Sequence, residues 1–361
     1  MLGLAFAPIA IDSRARMNLA ALEDQLRAGT VGTVVATLGA TATGAVDPLP
    51  EILRLRERYG SDARLQAEWA QPGVTLDSAA IPSQEARFGH QARTFRDTAT
   101  ERPVIDFHRF WQDVMAETIE HFASVVKQAT SGRKVVGAFY GYTLEFSDLA
   151  EDAGHLALRE LLMSPDIDFV MAPSSYHNRN LPGQPYFRLP IASVNLHGKL
   201  FWNDFDQVSY KYYDKLKDDP NLKQWEWQMG LTQTPEQFVW MMRREVGMEL
   251  AQGAQLAYFD IHGGYYEDPV IMQGVREVNG LREEALTWPD RGSCAEVLLL
   301  VDEASEHFLT FRNPITRSLL SAQTAVMPFV APYDVALLED CLLYTSPSPR
   351  DRTRSRMPSS A

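Results

Sequence analysis

Four short apolar runs punctuate the chain: KVVGAFY at 134–140, DFVMAP at 168–173, IASVNLHGKLF at 191–201 and QLAYFDI at 255–261. Rich in β-branched and aromatic residues, they read as buried strands. Between them the periodicity changes. Phe107, Phe110, Trp111, Val114, Ile119, Phe122 and Val126 recur at helical steps, as do Phe238, Met242, Val246 and Leu250 behind Pro235. A shorter helix is predicted over His155 to Leu162. Strands alternating with helices predict a parallel sheet joined by right-handed crossovers. Each run also ends in polar or aromatic residues, which suits a (β/α)₈ barrel whose site lies at the strand C-termini.

Composition narrows the function classes. The formal net charge of −13 argues against nucleic acid or an anionic membrane as partner and suits an enzyme acting on a neutral or cationic small molecule. Only Cys294 and Cys341 are present, so no disulfide framework is expected and a reducing compartment is the default. The start, MLGLAFAPIAIDSR, lacks the basic region and cleavage site of a signal peptide, and no apolar run approaches the roughly 20 residues of a membrane span. A soluble cytoplasmic protein is the expectation.

Two ends of the sequence read differently from its middle. In residues 30 to 60, Val31 to Leu38 reads as a strand, Gly39 to Gly44 as a small-residue loop, and Asp47 with Pro48 as a helix start. The wording VVATLGATATGAVDPL resembles pyridoxal-phosphate-dependent amino-acid decarboxylases. That resemblance implies a cofactor lysine and an acidic partner for the pyridine ring. No lysine occurs before Lys127 and no HVDAAYGG-like strand follows, so no cofactor is expected. Residues 341 to 361 are rich in Ser, Pro and Arg, and CLLYTSPSPRD resembles a translated sequencing adapter. They are set aside from fold reasoning, and the natural protein is expected to continue beyond Asp340.

From LRERYGSDARLQAEWAQPGVTLDSAAIPS to about Asp340 the sequence resembles family 42 glycoside hydrolases, the β-galactosidase type. The resemblance implies an incomplete (β/α)₈ TIM barrel, strands five to eight, followed by the start of a flavodoxin-like trimerisation domain. AEVLLLVDEAS and APYDVALLED supply the first two strands of that domain. The expected division is 1–60 as a decarboxylase-like fragment joined by chimerism near residues 54–62, 61–290 as half-barrel, 291–340 as truncated trimerisation domain, and 341–361 as artefactual tail. The implied activity of the intact parent is retaining hydrolysis of terminal β-galactosides by a homotrimer.

Retaining hydrolysis needs two carboxyl groups about 5 to 5.5 Å apart. The family's acid/base glutamate, usually in an Asn-Glu pair on strand four, has no counterpart here, since no Asn-Glu dipeptide occurs. The present chain is therefore expected to be inactive. The strand-seven text survives as HGKLFWNDFDQ, which offers Asp204 first and Asp206 second as nucleophile. Either aspartate could instead cap a helix or pair with Lys211 or Lys215. Asn203 and Trp202 are candidates for a sugar hydroxyl and a pyranose face. Beyond the other strand ends lie Tyr140, Tyr142 and Glu145, then Tyr176 and His177, then Asp260 and His262, all candidates for substrate contacts. A cysteine-bound zinc is excluded by the cysteine count, and His177, His197 and His262 lack metal-site spacing, so no metal is expected. The alternatives are a noncatalytic carbohydrate-binding barrel and, from the N-terminal fragment, a decarboxylase.

Overall fold

The structure, a computed structural model, describes residues 24, 33–36, 55–88, 93–145, 153–221, 223, 230–261, 263–289, 292–310, 324 and 326–341. The predicted helix start at Asp47 and Pro48, and His262, lie outside the described residues. Five strands form one parallel sheet: β1 (Thr33–Ala36), β2 (Val135–Phe139), β3 (Phe169–Pro173), β4 (Leu200–Phe205) and β5 (Gln255–Tyr258). Their spatial order equals their sequence order, and every neighbouring pair is parallel. The helices between them include α1 (Asp62–Trp69), α2 (Arg102–Thr130), α3 (Leu158–Met163), α4 (Ile191–Leu196) and α5 (Pro235–Gln252), with α6 (Pro269–Ala285) after β5.

Sequential order without reversal, built from crossovers of one hand, puts the crossover helices on one face of the sheet. The burial pattern agrees. Val136, Ala138, Val170, Ala172 and Phe201 pack with Ala116, Ile119 and Val126 of α2, Leu158 and Leu161 of α3 and Val194 of α4. Phe205 and Leu256 pack with Phe238, Met242 and Val246 of α5 and Ile271 of α6. Burying each such aliphatic or aromatic side chain contributes about 1.5–3 kcal/mol. The opposite face carries Val135, Gly137, Phe139, Phe169, Met171, Leu200, Trp202 and Asp204 in register. It is less covered: Val135 and Leu200 are 43% and 48% exposed. This is the layout of part of an α/β barrel, and among the described residues it is open.

Local chemistry sets the element ends. Thr234 accepts a hydrogen bond from the Gln237 N–H at the start of α5, with Pro235 in the first turn. Asp268 does the same for α6 through the Val270 and Ile271 amides. At the end of α5, Gly253 adopts φ +72°, the left-handed conformation that glycine enters without strain.

One predicted strand is corrected. Ile191 to Phe201 is not a single strand: Ile191–Leu196 is helix α4 and the strand begins at Leu200. Ile191 and Val194, three apart, bury one helical face, and Gly198 at φ +69° turns the chain into β4. The run QLAYFDI is strand only to Tyr258.

After the sheet, β6 (Val297–Val301) and β7 (Tyr333–Leu337) pair in parallel as a separate two-stranded sheet. It packs on the first unit. Val301, Val335 and Leu337 join the core formed by α2, β2, β3 and α4, and the Leu337 N–H donates to Ser193 Oγ at 2.8 Å.

Candidate functional site

The C-terminal ends of β2 to β5 gather a group of buried polar residues, among them Glu145, Ser174, Arg179, Arg188, Asp204 and Asp206. Strand β4 contributes Asp204 on the less covered face, in register with Pro173 and Ala257. Asp204 is 5% exposed, and its Oδ1 is buried without a hydrogen-bond partner among the described residues. Burial, reinforced by the neighbouring Asp206 charge and opposed by Arg179 and Arg188, pushes its pKa up to about 7. Asp206 lies just past the strand and pairs with Arg179, Oδ1 to Nη2 at 2.6 Å. The fully buried Arg179 also donates to the carbonyls of Ser174 and Ser175 at 2.8 and 3.0 Å. Among the described residues both aspartates bury an Oδ1 without a hydrogen-bond partner of good geometry, and they differ in that Asp206 lies in an ion pair with Arg179.

A second ion pair flanks the first. Glu145, beyond β2, accepts from Arg188 Nε at 2.8 Å and from the Tyr176 N–H with both oxygens, at 3.0 and 3.1 Å. His177 Nε2 lies 3.5 Å from the same carboxylate. The Tyr176 ring lies under both guanidiniums, 3.8 Å from Arg188 and 4.3 Å from Arg179, and Arg188 is 4.8 Å from the Tyr142 ring. Tyr142 is pushed up to about 12 by burial, with Arg188 opposing and Tyr176, Asp206 and Asp204 reinforcing. On the β5 side, Asp260 Oδ2 accepts from the Tyr265 N–H at 3.0 Å. Burial first, then the Asp260 charge, raises the Tyr265 hydroxyl, and Asp206 adds to it.

The structure therefore brings together Tyr142, Glu145, Tyr176, His177, Asp204, Asp206 and Asp260. Three other predicted residues are placed differently. Tyr140 is in the core, stacked on His155 at 4.8 Å, with its hydroxyl accepting from the Ala157 N–H. Trp202 is one layer deeper than Asp204, stacked on Phe169 at 4.2 Å. Asn203 points to the helix side, donating to Glu249 at 2.9 Å and Glu245 at 3.3 Å.

Several residues that sequence reasoning missed complete the site. Arg179 and Arg188 carry its ion pairs. Behind β4, Gln207 Nε2 donates to Glu245 at 3.0 Å and to Ser174 Oγ at 3.3 Å. Glu249 is pushed up to about 8 by burial, with Asn203 opposing and Glu245 reinforcing, and burial also raises Glu245. The signal for this pair was present, because both glutamates fall on the apolar stripe of α5 with Phe238 and Met242. Among the described residues no group of three or more His, Cys, Asp or Glu is placed to hold a metal ion. No helix there is long and apolar enough to cross a membrane.

No protein-family model matches the chain, and no curated protein matches it. A solved exo-β-agarase is similar to it at 11% identity and a TM-score of 0.42, over 69% of this chain. The chain covers 31% of that enzyme's length. At this level the similarity carries no inference about the chemistry of the present chain.

Proposed function

We propose that the polar cluster at the ends of β2 to β5 binds a neutral sugar and that its aspartate pair hydrolyses a glycosidic bond. The observation that supports this is the contrast between Asp204, buried and pushed up to about 7, and Asp206, held by Arg179. Glycoside hydrolysis needs one carboxyl that still holds a proton at working pH and one that is ionised. Asp204 then protonates the leaving oxygen as general acid and later activates water. Asp206, ion-paired with Arg179, is the nucleophile that attacks the anomeric carbon as the glycosidic bond breaks. This reverses the order expected from the sequence, in which Asp204 was the first choice for nucleophile, and it gives the missing acid/base part to a residue of β4. The substrate class is a terminal β-galactoside or a related neutral glycoside. In the same proposal the parent assembles as a trimer through the unit begun by β6 and β7, and acts in the cytoplasm.

The test compares aryl β-galactosides with good and poor leaving groups. Asp204→Asn should keep much of its turnover on the activated substrate and lose it on the poor one, because only the latter needs the proton. Asp206→Asn should lose both, and added azide should restore part of the turnover as a glycosyl azide. Absence of any hydrolysis by the wild-type chain would sink the hydrolase assignment. One observation favours a second reading, a noncatalytic sugar-binding barrel: Glu145 and Asp206 are each neutralised by an arginine. Calorimetric binding of galactose without turnover would select it.

A further inference from the structure

Glu303 follows β6, in the unit that packs beside the five-stranded sheet, yet its carboxyl enters the core of that sheet's unit. It is 6% exposed. Its Oε1 accepts from Thr143 Oγ1 at 3.2 Å, and its Oε2 accepts from the Leu158 N–H, the first amide of α3, at 3.1 Å. Thr143 is fully buried and lies between Tyr142 and Glu145, the two site residues supplied by the loop after β2. The rest of that loop is held from within its own unit. The Gly141 and Tyr142 amides face His155 Nδ1 at 3.2 and 3.4 Å, the Leu144 N–H donates to the Arg188 carbonyl at 2.7 Å, and Glu145 is gripped by Arg188. Glu303 is thus a contact from the second unit to the middle of this loop.

We propose that Glu303 is a positioning residue for the candidate site: the β6–β7 unit uses it to fix the loop that presents Tyr142 and Glu145. The proposal rests on the functional reading of that polar cluster for its consequence in turnover, but not for its structural content. Burial pushes Glu303 up to about 8, with the Leu158 amide and Thr143 opposing. As a neutral acid it keeps both contacts, with the Thr143 hydroxyl turned to accept from the protonated oxygen while the other oxygen accepts from the Leu158 N–H, and glutamine is its close isostere. A carboxyl kept only to fill space has no need to engage both a hydroxyl and a helix-start amide, since each lost partner leaves a buried polar group unsatisfied.

The experiment is site-resolved hydrogen exchange on the full chain, comparing wild type, Glu303→Ala, Glu303→Gln and Thr143→Val. Amides of residues 141–145 should lose about tenfold protection in Glu303→Ala, with β4 amides unchanged, and regain it in Glu303→Gln. Thr143→Val removes only the loop contact and should reproduce the local loss, so it decides the matter if the alanine variant fails to fold. Unchanged protection at 141–145 in Thr143→Val overturns the proposal. So does failure of Glu303→Gln to restore it, or an equal loss across the whole sheet. Where wild type hydrolyses a β-galactoside, kcat/KM should fall with the local protection and recover in the glutamine variant. Where it does not, the hydrolase assignment fails while the exchange result still stands.

Discussion

Asp204→Asn should make the protein more stable at alkaline pH while removing the acid–base role proposed for this residue. In the folded chain Asp204 titrates at about 7 against its ordinary 3.8, so the native state holds a proton that the unfolded chain has given up. Stability from this group is complete below the ordinary value, declines as pH rises from there through about 7, and is then flat. At roughly 1.4 kcal/mol per pKa unit, that interval sets a ceiling of about 4 kcal/mol near pH 8. Relaxation and water entry raise the effective dielectric towards about 20, so a gain of about 2 kcal/mol is the working expectation. Asparagine is nearly isosteric, and the orphaned Oδ1 has no hydrogen bond to lose. Urea unfolding of both proteins near pH 4 and near pH 8 measures the difference directly. Glu249 and Glu303, each pushed up to about 8, impose a similar slope on both proteins and cancel. The variant should match wild type within about 1 kcal/mol near pH 4 and exceed it near pH 8. An equal effect at both pH values, or a loss confined to the alkaline side, would refute burial as the cause of the raised pKa.

Two further perturbations test the surroundings of the site. Asn203→Ala removes the amide that donates to both Glu245 and Glu249, and should cost about 2–3 kcal/mol in urea unfolding. A cost below about 1 kcal/mol would mean that water already satisfies the glutamates. Gly137→Ala would place a Cβ 2.4 to 2.5 Å from three atoms of the Phe169 ring, the ring stacked on Trp202. It should cost about 1–3 kcal/mol and change the near-ultraviolet circular dichroism of the tryptophan; an unchanged melting curve would show that Phe169 moves aside freely.

How far the sequence reached depends on what kind of signal each element leaves. α2 and α5 were legible because a long apolar stripe admits only one period. β2 and β3 were legible as short β-branched runs. The run at 191–201 failed because Ile191 and Val194 fit a helical step as well as a strand, and only Gly198 separates the two elements. Asn203 was sent to the wrong face although parity could have placed it. Phe201, Asn203 and Phe205 alternate with Trp202, Asp204 and Asp206, and two phenylalanines mark the helix side. Arg179 and Arg188 were beyond reach, because they meet Asp206 and Glu145 through loop geometry that has no period.

The two faces of β4 together say more than either alone. In register with Asn203 on the helix side, β3 presents Ala172, in the apolar core. β4 presents Asn203 instead, and α5 answers with two buried glutamates, one of them pushed up to about 8. An apolar residue at 203 with leucines at 245 and 249 would pack there without desolvating two acids. The present arrangement does what leucines cannot. It runs a hydrogen-bond chain from Glu245 through Gln207 to Ser174, around the end of the strand that carries Asp204 and Asp206. Buried polar groups are tolerated at this expense chiefly where they hold something in place. The end of β4, polar in front and braced by polar groups behind, is therefore where the fold gives up stability, and it is the place to look for the chemistry.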